Sequence, residues 1–486
     1  MLRVRPSRQQ LLRRAGSSRR HVSRRASRER AGATRRSLVS NVPENSRTLV
    51  PVVDVGALLD DHGTCAVRAA RAADCSADHI VCRRKDEEAQ RRAGEALFHA
   101  ASQVGLFYVI HHGVPERLLA LAREHATRFF DLPLAAKQRI SVRHCASHAR
   151  GFQQVGENVT QGRHDQHEAL DAYREIDTAH RHPTDCAGGE PMAGLNQWPA
   201  ELLPQIREFF HFEYVPAMLS LGARVMHGLA LGMGSRMGIH DARFFEPYFD
   251  RSFWVLRLIR YPPVCRSMDG HDQGCGEHTD YGMLTILNQE PTSHHQECLE
   301  AQLSSGQWVA VPPIPGALAV NVGDMLEVWT GGRLRATPHR VRAPEITSPG
   351  KTAEDAKGRL SIPFFFEPNF DAVIVPLHMN MTGYDDSASV QDSKCVFKPI
   401  RYGDHLMRKI ATNFASADPL AIHVEPGMLL YYSSRHKRFV RAPWLEHSWL
   451  ARCTKMTFDE VHNLDASFVD TSQRHQTNPG KAADEN

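Results

Sequence analysis

The ten residues 276–285, which read GEHTDYGMLT, are the stretch around which this chain is organised. They place His278 and Asp280 two positions apart at the start of an apolar, β-branched run. In an extended strand, side chains two residues apart lie on the same face. We therefore predict that His278 and Asp280 bind one metal ion together.

A third ligand is expected from His339, which lies about sixty residues downstream, shortly after a Trp-Thr-Gly-Gly turn at 329–332. Two histidines and one carboxylate form the facial triad of non-haem Fe(II) oxygenases, which leaves three octahedral positions open. We predict that His278, Asp280 and His339 bind one Fe(II) ion.

A carboxylate-binding group follows in the period-two run RLSIPFFFEP at 359–368. Arg359 and Ser361 share a face of this strand, and a guanidinium beside a hydroxyl is suited to an organic carboxylate. The pattern predicts metal ligands and an acid-binding group on neighbouring strands.

The order His-x-Asp, His, Arg-x-Ser resembles the isopenicillin N synthase-like family of Fe(II)/2-oxoglutarate-dependent oxygenases. Four further stretches are similar to motifs of that family: FYVIHHGV at 107–114, LRLIRYPP at 256–263, WVAVPPIPG at 308–316 and NVGDML at 321–326. The likeness extends from about residue 49 to about residue 413.

The resemblance implies an α+β fold, in which a double-stranded β-helix, or jelly roll, is flanked by N-terminal helices and a long buttressing helix. It implies Fe(II), the cosubstrate 2-oxoglutarate and dioxygen, with Arg359, Ser361 and Tyr261 contacting the cosubstrate. The expected reaction hydroxylates or desaturates a small organic substrate and releases succinate and CO2. No catalytic residue is expected beyond the metal ligands.

Three aromatic residues are candidates for the substrate pocket. Phe365 shares the face of Arg359 and Ser361 by period two, although a place in the core explains it equally well. Tyr281 and Phe152 are candidates of the same kind.

Other functions stay open at this point. Isopenicillin N synthase and the ethylene-forming oxidase use this barrel without 2-oxoglutarate, so Arg-x-Ser could bind another carboxylate. A catalytically silent jelly roll that serves as a binding protein is a second alternative, although all three ligands and Arg359 are present. A zinc hydrolase is disfavoured because no general base is placed as in H-E-x-x-H.

Composition narrows the class of protein. Of the 486 residues, 42% are hydrophobic and 23% charged, which is ordinary for a globular protein, and no apolar run is long enough to span a bilayer. Residues 1–40 hold thirteen arginines and one acid, which gives them a net charge of +12. Because the whole chain has a net charge of +4, the remaining residues carry −8. We therefore expect a small-molecule substrate, no nucleic-acid partner and no membrane association; the oligomeric state is open.

The Arg-rich N-terminus and the cysteines bear on localisation. Residues 1–45 have the composition of a mitochondrial transit peptide; the alternatives are a disordered basic tail and a translation start assigned too far upstream. Ten scattered cysteines without a C-x-x-C motif are typical of a reduced, intracellular, cytoplasmic protein. We interpret Cys275 as a loop thiol or filler and not as part of the iron site.

Four regions are expected along the chain. They are a basic tail at 1–45, a mostly helical N-terminal oxygenase region with insertions at 46–235, the jelly-roll domain at 236–413 and an unassigned C-terminal extension at 414–486. Within them the pattern predicts the following elements: an insertion at 59–85, a helix at 87–104, a strand at 106–110, a helix from 115 to about 131, an irregular His-rich loop at 144–195, a long helix at 200–231 bent at Pro216, a surface loop at 344–358 and a strand at 427–432.

Overall fold

The computed structural model describes most of the chain between residues 49 and 441. The described residues are 49–59, 77–145, 149–176, 192, 194–264, 273–290, 298–344, 358–377, 397–412, 424–425, 428–433 and 438–441. The basic tail, most of the 344–358 loop and most of the C-terminal extension lie outside this part, so the predictions about them stay predictions.

An eight-stranded major sheet forms one wall of the barrel. Its strands in chain order are β1 (Val52–Asp54), β2 (Leu106–Ile110), β3 (Gly151–Gln153), β6 (Glu168–Tyr173), β7 (Val255–Tyr261), β9 (Leu284–Gln289), β12 (Ala317–Val322) and β14 (Arg359–Phe366). Their order in the sheet is β1-β2-β12-β9-β14-β7-β6-β3. The β1–β2 pair is parallel and the other pairs are antiparallel.

A four-stranded minor sheet faces it. Its strands are β8 (Gln273–His278), β10 (Leu299–Gln302), β11 (Trp308–Ala310) and β13 (His339–Arg342), in the order β11-β10-β13-β8. Two facing sheets built from strands far apart in the sequence are the jelly-roll arrangement that the family resemblance implies.

Alternation along the strands separates two faces of the major sheet. On the inner face, Tyr108, Ile259 and Tyr261 pack with residues of the minor sheet such as Leu299 and Val341. The intervening residues point to the outer face and join a larger core with the helices; they include Phe107, Leu170, Leu258, Val320 and Ile362. Each strand therefore contributes to both the barrel interior and the helical layer.

Helices cover the outer face. They are α1 (Ala77–Gln103), α2 (Glu116–Phe130), α3 (Leu134–Gln138), α4 (Gln205–Phe209), α5 (Val215–Met233), α6 (Asp324–Trp329) and α7 (Tyr402–Thr412). α1 and α5 cross at Gly94 and Gly232, where a Cβ on Gly232 would lie 2.1 Å from the carbonyl oxygen of Gly94. Only glycine allows the two backbones to approach this closely. None of the described helices is both long and apolar enough to cross a membrane.

Smaller elements complete the described part. They are a hairpin of β4 (Val159–Thr160) and β5 (Arg163–His164), a pair of β15 (Val373–Ile374) and β16 (Ile400–Arg401), and a three-stranded sheet of β17 (Val424–Glu425), β18 (Met428–Ser433) and β19 (Arg438–Arg441). The strand predicted at 427–432 is confirmed by β18.

Two predictions about the N-terminal half were wrong. The region 144–195 is not irregular throughout, because 151–153 and 168–173 form β3 and β6 of the major sheet. Strands of the predicted regions 46–235 and 236–413 therefore share one sheet. Residues 77–85, assigned to an insertion, begin α1. The two strands were missed because they are short and lie in a sequence rich in histidines and charged residues. The strand β7, with which β6 pairs, is also distant in the sequence.

The long helix also differs from its prediction. Residues 200–204 are not helical, and α4 begins at Gln205. A π-helical turn over Phe210–Tyr214 joins α4 to α5, and Pro216 lies in the first turn of α5. Proline is tolerated there because the first-turn N–H groups need no intrahelical partner. Gly234, with φ of 47°, ends the helix.

Candidate metal centre

The three predicted ligands meet at one end of the minor sheet. His278 ends β8, His339 begins β13, and the two residues are paired across these strands with ring centroids 4.3 Å apart. Asp280 follows two residues after β8, and its Oδ1 lies 3.8 Å from the Nε2 atom of each histidine. Three ligand atoms within 4.8 Å of one another can hold one metal ion.

Hydrogen bonds orient both imidazoles toward this point. The Nδ1 atom of His278 is 2.7 Å from the carbonyl oxygen of Gly276, and that of His339 is 3.0 Å from the carbonyl oxygen of Thr337. An Nδ1–H that donates to a carbonyl leaves the Nε2 lone pair for a metal. Burial, together with the neighbouring His278, lowers the pKa of His339 and so favours the neutral, metal-binding form.

Asp280 is held by two donors from the inner face of the major sheet. Its Oδ2 accepts a hydrogen bond from the Thr285 hydroxyl at 2.5 Å and another from the Asn321 side-chain amide. Oδ1 is thereby left facing the histidines. Neither Thr285 nor Asn321 was singled out from the sequence, although Asn321 lies in a quoted motif. The donor set, two imidazoles and one carboxylate with oriented partners, fits Fe(II).

The carboxylate-binding group lies across the barrel from the minor sheet. Arg359 and Tyr261 are cross-strand partners on β14 and β7, with the guanidinium 5.2 Å from the ring centroid. Arg359 donates from Nη2 to Gln289 Oε1 at 2.9 Å, while its buried Nη1 has no hydrogen-bond partner among the described residues. Ser361 is buried beside it on the same face. A buried cation with an unused donor is a ready site for an anion.

Comparison with known proteins identifies this arrangement. Residues 77–201 match the family model for the non-haem dioxygenase in morphine synthesis N-terminal region, and residues 253–368 match that of the 2OG-Fe(II) oxygenase superfamily. A homoarginine-6-hydroxylase of Glycine max is 38% identical over 326 residues, which are 65% of this chain and 88% of that protein. One of Arabidopsis thaliana is 36% identical, over 66% of this chain and 89% of that protein.

The chain belongs to the Fe(II)/2-oxoglutarate oxygenase superfamily. It is an oxidoreductase that uses Fe(II), 2-oxoglutarate and dioxygen. A full-length Neurospora crassa protein crystallised with alpha-KG and thymine has the same fold, with a TM-score of 0.54 and 23% identity over 76% of this chain and 98% of that one. The interpretations as a silent barrel and as an oxidase independent of 2-oxoglutarate are therefore set aside.

The inner face of this oxygenase carries a polar cluster that the sequence analysis missed. Asp171 on β6 and Arg257 on β7 are cross-strand partners, with Asp171 Oδ1 3.2 Å from Arg257 Nε. Gln153 on β3 donates from Nε2 to Asp171 Oδ2 at 2.7 Å and accepts from Arg257 Nη2 at 3.0 Å. Arg257 lies four residues before Tyr261, so period two could have placed both on the inner face.

The charges of this cluster influence one another. Burial alone would lower the pKa of Arg257, but the Asp171 carboxylate raises it overall. Burial raises the pKa of Asp171, and the Arg257 charge and the Gln153 hydrogen bond partly offset that rise. Burial, with Arg257 nearby, lowers the pKa of His167 to about 4, so His167 is neutral near pH 7.

The β4–β5 hairpin packs against the ligand strand β8. Asp165 accepts hydrogen bonds from the Gly276 amide at 3.0 Å and from Gln273 Nε2 at 2.9 Å. A Cβ on Gly276 would lie 2.8 Å from the Thr160 side chain, so glycine permits the close packing. Cys275 is on the same strand, with Sγ 3.8 Å from His278 Nδ1. The prediction of a loop thiol was wrong, because Cys275 belongs to the strand that carries His278. Cys275 is nevertheless not one of the three ligand residues.

The three substrate-pocket candidates have different positions. Phe365 is on the inner face as the cross-strand partner of Thr285, whose hydroxyl binds Asp280. Tyr281 packs against α7, with its ring centroid 6.3 Å from that of His405 and 5.4 Å from Lys409 Nζ.

The prediction for Phe152 was wrong. Its ring is fully buried on the outer face against Phe129 of α2, with centroids 6.0 Å apart. Alternation along β3 points the neighbouring Gln153 into the barrel instead.

Proposed function

We propose that His278, Asp280 and His339 hold Fe(II) and that Arg359, with Ser361 and Tyr261, binds the distal carboxylate of 2-oxoglutarate. The observation that carries this assignment is the unused Nη1 donor of the buried Arg359. A carboxylate there would accept from Nη1 and compensate a charge that has no acidic partner among the described residues. The Ser361 hydroxyl, on the same face, supplies a further donor.

We propose further that the substrate is a small, free amino acid with a basic side chain, and that the reaction is hydroxylation. The relatives of Glycine max and Arabidopsis thaliana named homoarginine-6-hydroxylase support this class, because the chain covers 88% and 89% of their lengths. The polar inner face supports it too, since a pocket for an apolar molecule would not contain Asp171, Arg257 and Gln153. Substrate, 2-oxoglutarate and O2 would yield hydroxylated product, succinate and CO2.

Different residues of the barrel orient the metal ligands, the cosubstrate and the substrate. Bound Fe(II) supplies the oxygen activation and C–H oxidation for which this superfamily is built. The Gly276 and Thr337 carbonyls orient the two imidazoles, and Thr285 and Asn321 orient the Asp280 carboxylate. Arg359 orients the cosubstrate, and the inner face of β6 and β7 orients the substrate. Each group is held before the reaction, which lowers the entropic part of the barrier.

The metal and cosubstrate assignment is tested by adding Fe(II) and 2-oxoglutarate anaerobically to the full-length protein. Wild type is expected to show the visible charge-transfer band of the chelate. His339→Ala is expected to lose the band, and Arg359→Ala to require much more 2-oxoglutarate to form it. A band of full intensity at equal 2-oxoglutarate in Arg359→Ala would contradict the role of Arg359.

The substrate class is tested by succinate release with a panel of free amino acids. Lysine, arginine and homoarginine are expected to stimulate release, with norleucine as an apolar control of similar length. The product should gain one oxygen atom by mass spectrometry. Stimulation by norleucine equal to that by the basic amino acids would contradict the proposed class.

A further inference from the structure

Two acid–arginine pairs join β6 to β7, and only the inner one faces the barrel. The inner pair is Asp171 with Arg257, and the outer pair is Glu168 with Arg260. Arg260 Nε donates to Glu168 Oε1 at 2.8 Å, and Lys137 Nζ donates to Glu168 Oε2 at 2.7 Å. The outer pair is thus fully engaged with the helices and needs no further partner.

The inner pair has unused hydrogen-bonding capacity. Arg257 Nε and Asp171 Oδ1 are 3.2 Å apart but form no hydrogen bond, and both atoms are buried. Nδ2 of Asn158, whose Oδ1 accepts from Arg257 Nη2 at 2.9 Å, is also buried without a partner among the described residues. Arg257 Nε and Asp171 Oδ1 compensate each other's charge, but all three atoms lack a hydrogen bond to the described residues. The arrangement therefore favours a ligand that supplies the missing hydrogen bonds.

The inner pair is connected to the ligand strand β8 through His167. Arg257 Nη2 is 3.5 Å from His167 Nε2, and His167 Nδ1 is 2.9 Å from the carbonyl oxygen of Gly274 on the ligand strand β8. The Arg257 side chain is 22% exposed and the His278 side chain is 27% exposed, so neither side chain is fully buried.

We propose that Asp171 and Arg257 form the subsite for the α-ammonium and α-carboxylate of the substrate. This inference rests on the proposed function, in which the substrate is a free amino acid. The ammonium would donate to Asp171 Oδ1, and the carboxylate would accept from Arg257 Nε and Asn158 Nδ2. The α-ammonium and the α-carboxylate are attached to the same carbon atom of the substrate. Asp171 and Arg257 are likewise adjacent, so they can contact both groups together.

Charge balance distinguishes this ligand from simpler ones. A zwitterionic head group supplies one positive and one negative charge, so each member of the pair gains a partner and the site stays neutral. A simple amine or a simple acid would add one uncompensated charge to a buried site, which is unfavourable. The pair should therefore reject analogues that lack either group.

The experiment compares an accepted amino acid with two analogues of the same side chain. The des-amino acid lacks the ammonium, and the decarboxylated amine lacks the carboxylate. The kcat/KM of substrate-stimulated succinate release is measured for wild type, Asp171→Asn and Arg257→Gln. Glu168→Gln is the matched control, since it changes the acid of the outer pair on the same two strands.

Wild type and Glu168→Gln are expected to prefer the free amino acid over each analogue by about 100-fold or more, because a polar site rejects a substrate that leaves its groups unpaired. Asp171→Asn should reduce the preference over the des-amino acid at least tenfold. Arg257→Gln should do the same for the decarboxylated amine. Each change should be mainly in KM, because it removes binding that is present before the reaction.

The outcomes separate this inference from the proposed function. If no free amino acid stimulates succinate release, both fall. If one does, but wild type accepts either analogue equally well, or Asp171→Asn keeps the preferences of Glu168→Gln, this inference alone is overturned. If one variant fails to fold, the other variant still tests its own charge, and equal acceptance of either analogue by wild type would still overturn the inference.

Discussion

The two acid–arginine pairs on β6 and β7 differ in what surrounds them. Glu168 and Arg260 face the helices, where Lys137, Asp131 and the carbonyl oxygen of Phe130 complete their hydrogen bonds. Asp171 and Arg257, three residues along each strand, face the barrel, and their Nε and Oδ1 atoms have no hydrogen bond to the described residues. The same residue types on the same strands thus connect the sheet to α2 and α3 on one side and form a polar surface near the metal centre on the other.

The largest effect is expected on stability from the outer pair. Glu168→Ala removes the acid shared by the buried Lys137 and by Arg260, and should lower the free energy of unfolding by about 3–5 kcal/mol. Urea unfolding measures this change. Glu116→Ala, which breaks an exposed pair with Arg123, is the control and should cost less than about 1 kcal/mol. Equal losses in the two variants would mean that the outer pair is not a structural connection.

A third buried acid, Glu367, sharpens the comparison because it forms no ion pair with the described residues. Burial raises its pKa to about 8 from an unfolded value near 4.5. Since the folded pKa is raised, its contribution to stability is complete below pH 4.5 and is lost as pH rises toward 8.

Relative to Glu367→Gln, wild type should therefore lose about 3 kcal/mol of unfolding free energy between pH 5 and pH 8. Unfolding curves of both proteins at several pH values test this. Parallel pH dependences would show that Glu367 does not titrate in this range.

A smaller effect is expected at the other arginine of the inner face. Ser361→Ala removes one hydroxyl beside Arg359 and should weaken 2-oxoglutarate binding by about 1 kcal/mol, or roughly fivefold. Titration of the charge-transfer band measures this affinity. Ser252→Ala, which loses a buried hydroxyl that donates to the Glu367 carbonyl outside the site, is the control and should leave the affinity unchanged.

The smallest effect on stability is expected from neutralising the inner pair as a whole. Asp171→Asn combined with Arg257→Gln removes both buried charges, so the free energy of unfolding should change by no more than about 1 kcal/mol. Amino-acid-stimulated succinate release should nevertheless be lost. A large loss of stability in the double variant would assign the inner pair a structural role like that of the outer pair.

Much of the site was predictable because its chemistry is local in sequence. His278 and Asp280 are two residues apart, and Arg359, Ser361 and Phe365 follow the period of one strand, so alternation alone puts each group on a common face. His339 could be added because it is the histidine that follows shortly after the Trp-Thr-Gly-Gly turn at 329–332. The resemblance to a known family that these motifs carry also implied the jelly roll and the cosubstrate.

Tertiary structure decided the groups that belong to different strands. Asp171 and Arg257 are 86 positions apart in the numbering, and they meet only because β6 and β7 pair in one register. If β6, together with its partner β3, were shifted by one residue relative to β7, Asp171 would face the outer side of the sheet. Leu170 and Phe152 would then point into the barrel. Thr285 and Asn321 likewise reach Asp280 from β9 and β12. Sequence determined which residues can alternate together on one strand, whereas long-range pairing, set by burial of both faces, decided which strands bring their polar residues to the same point.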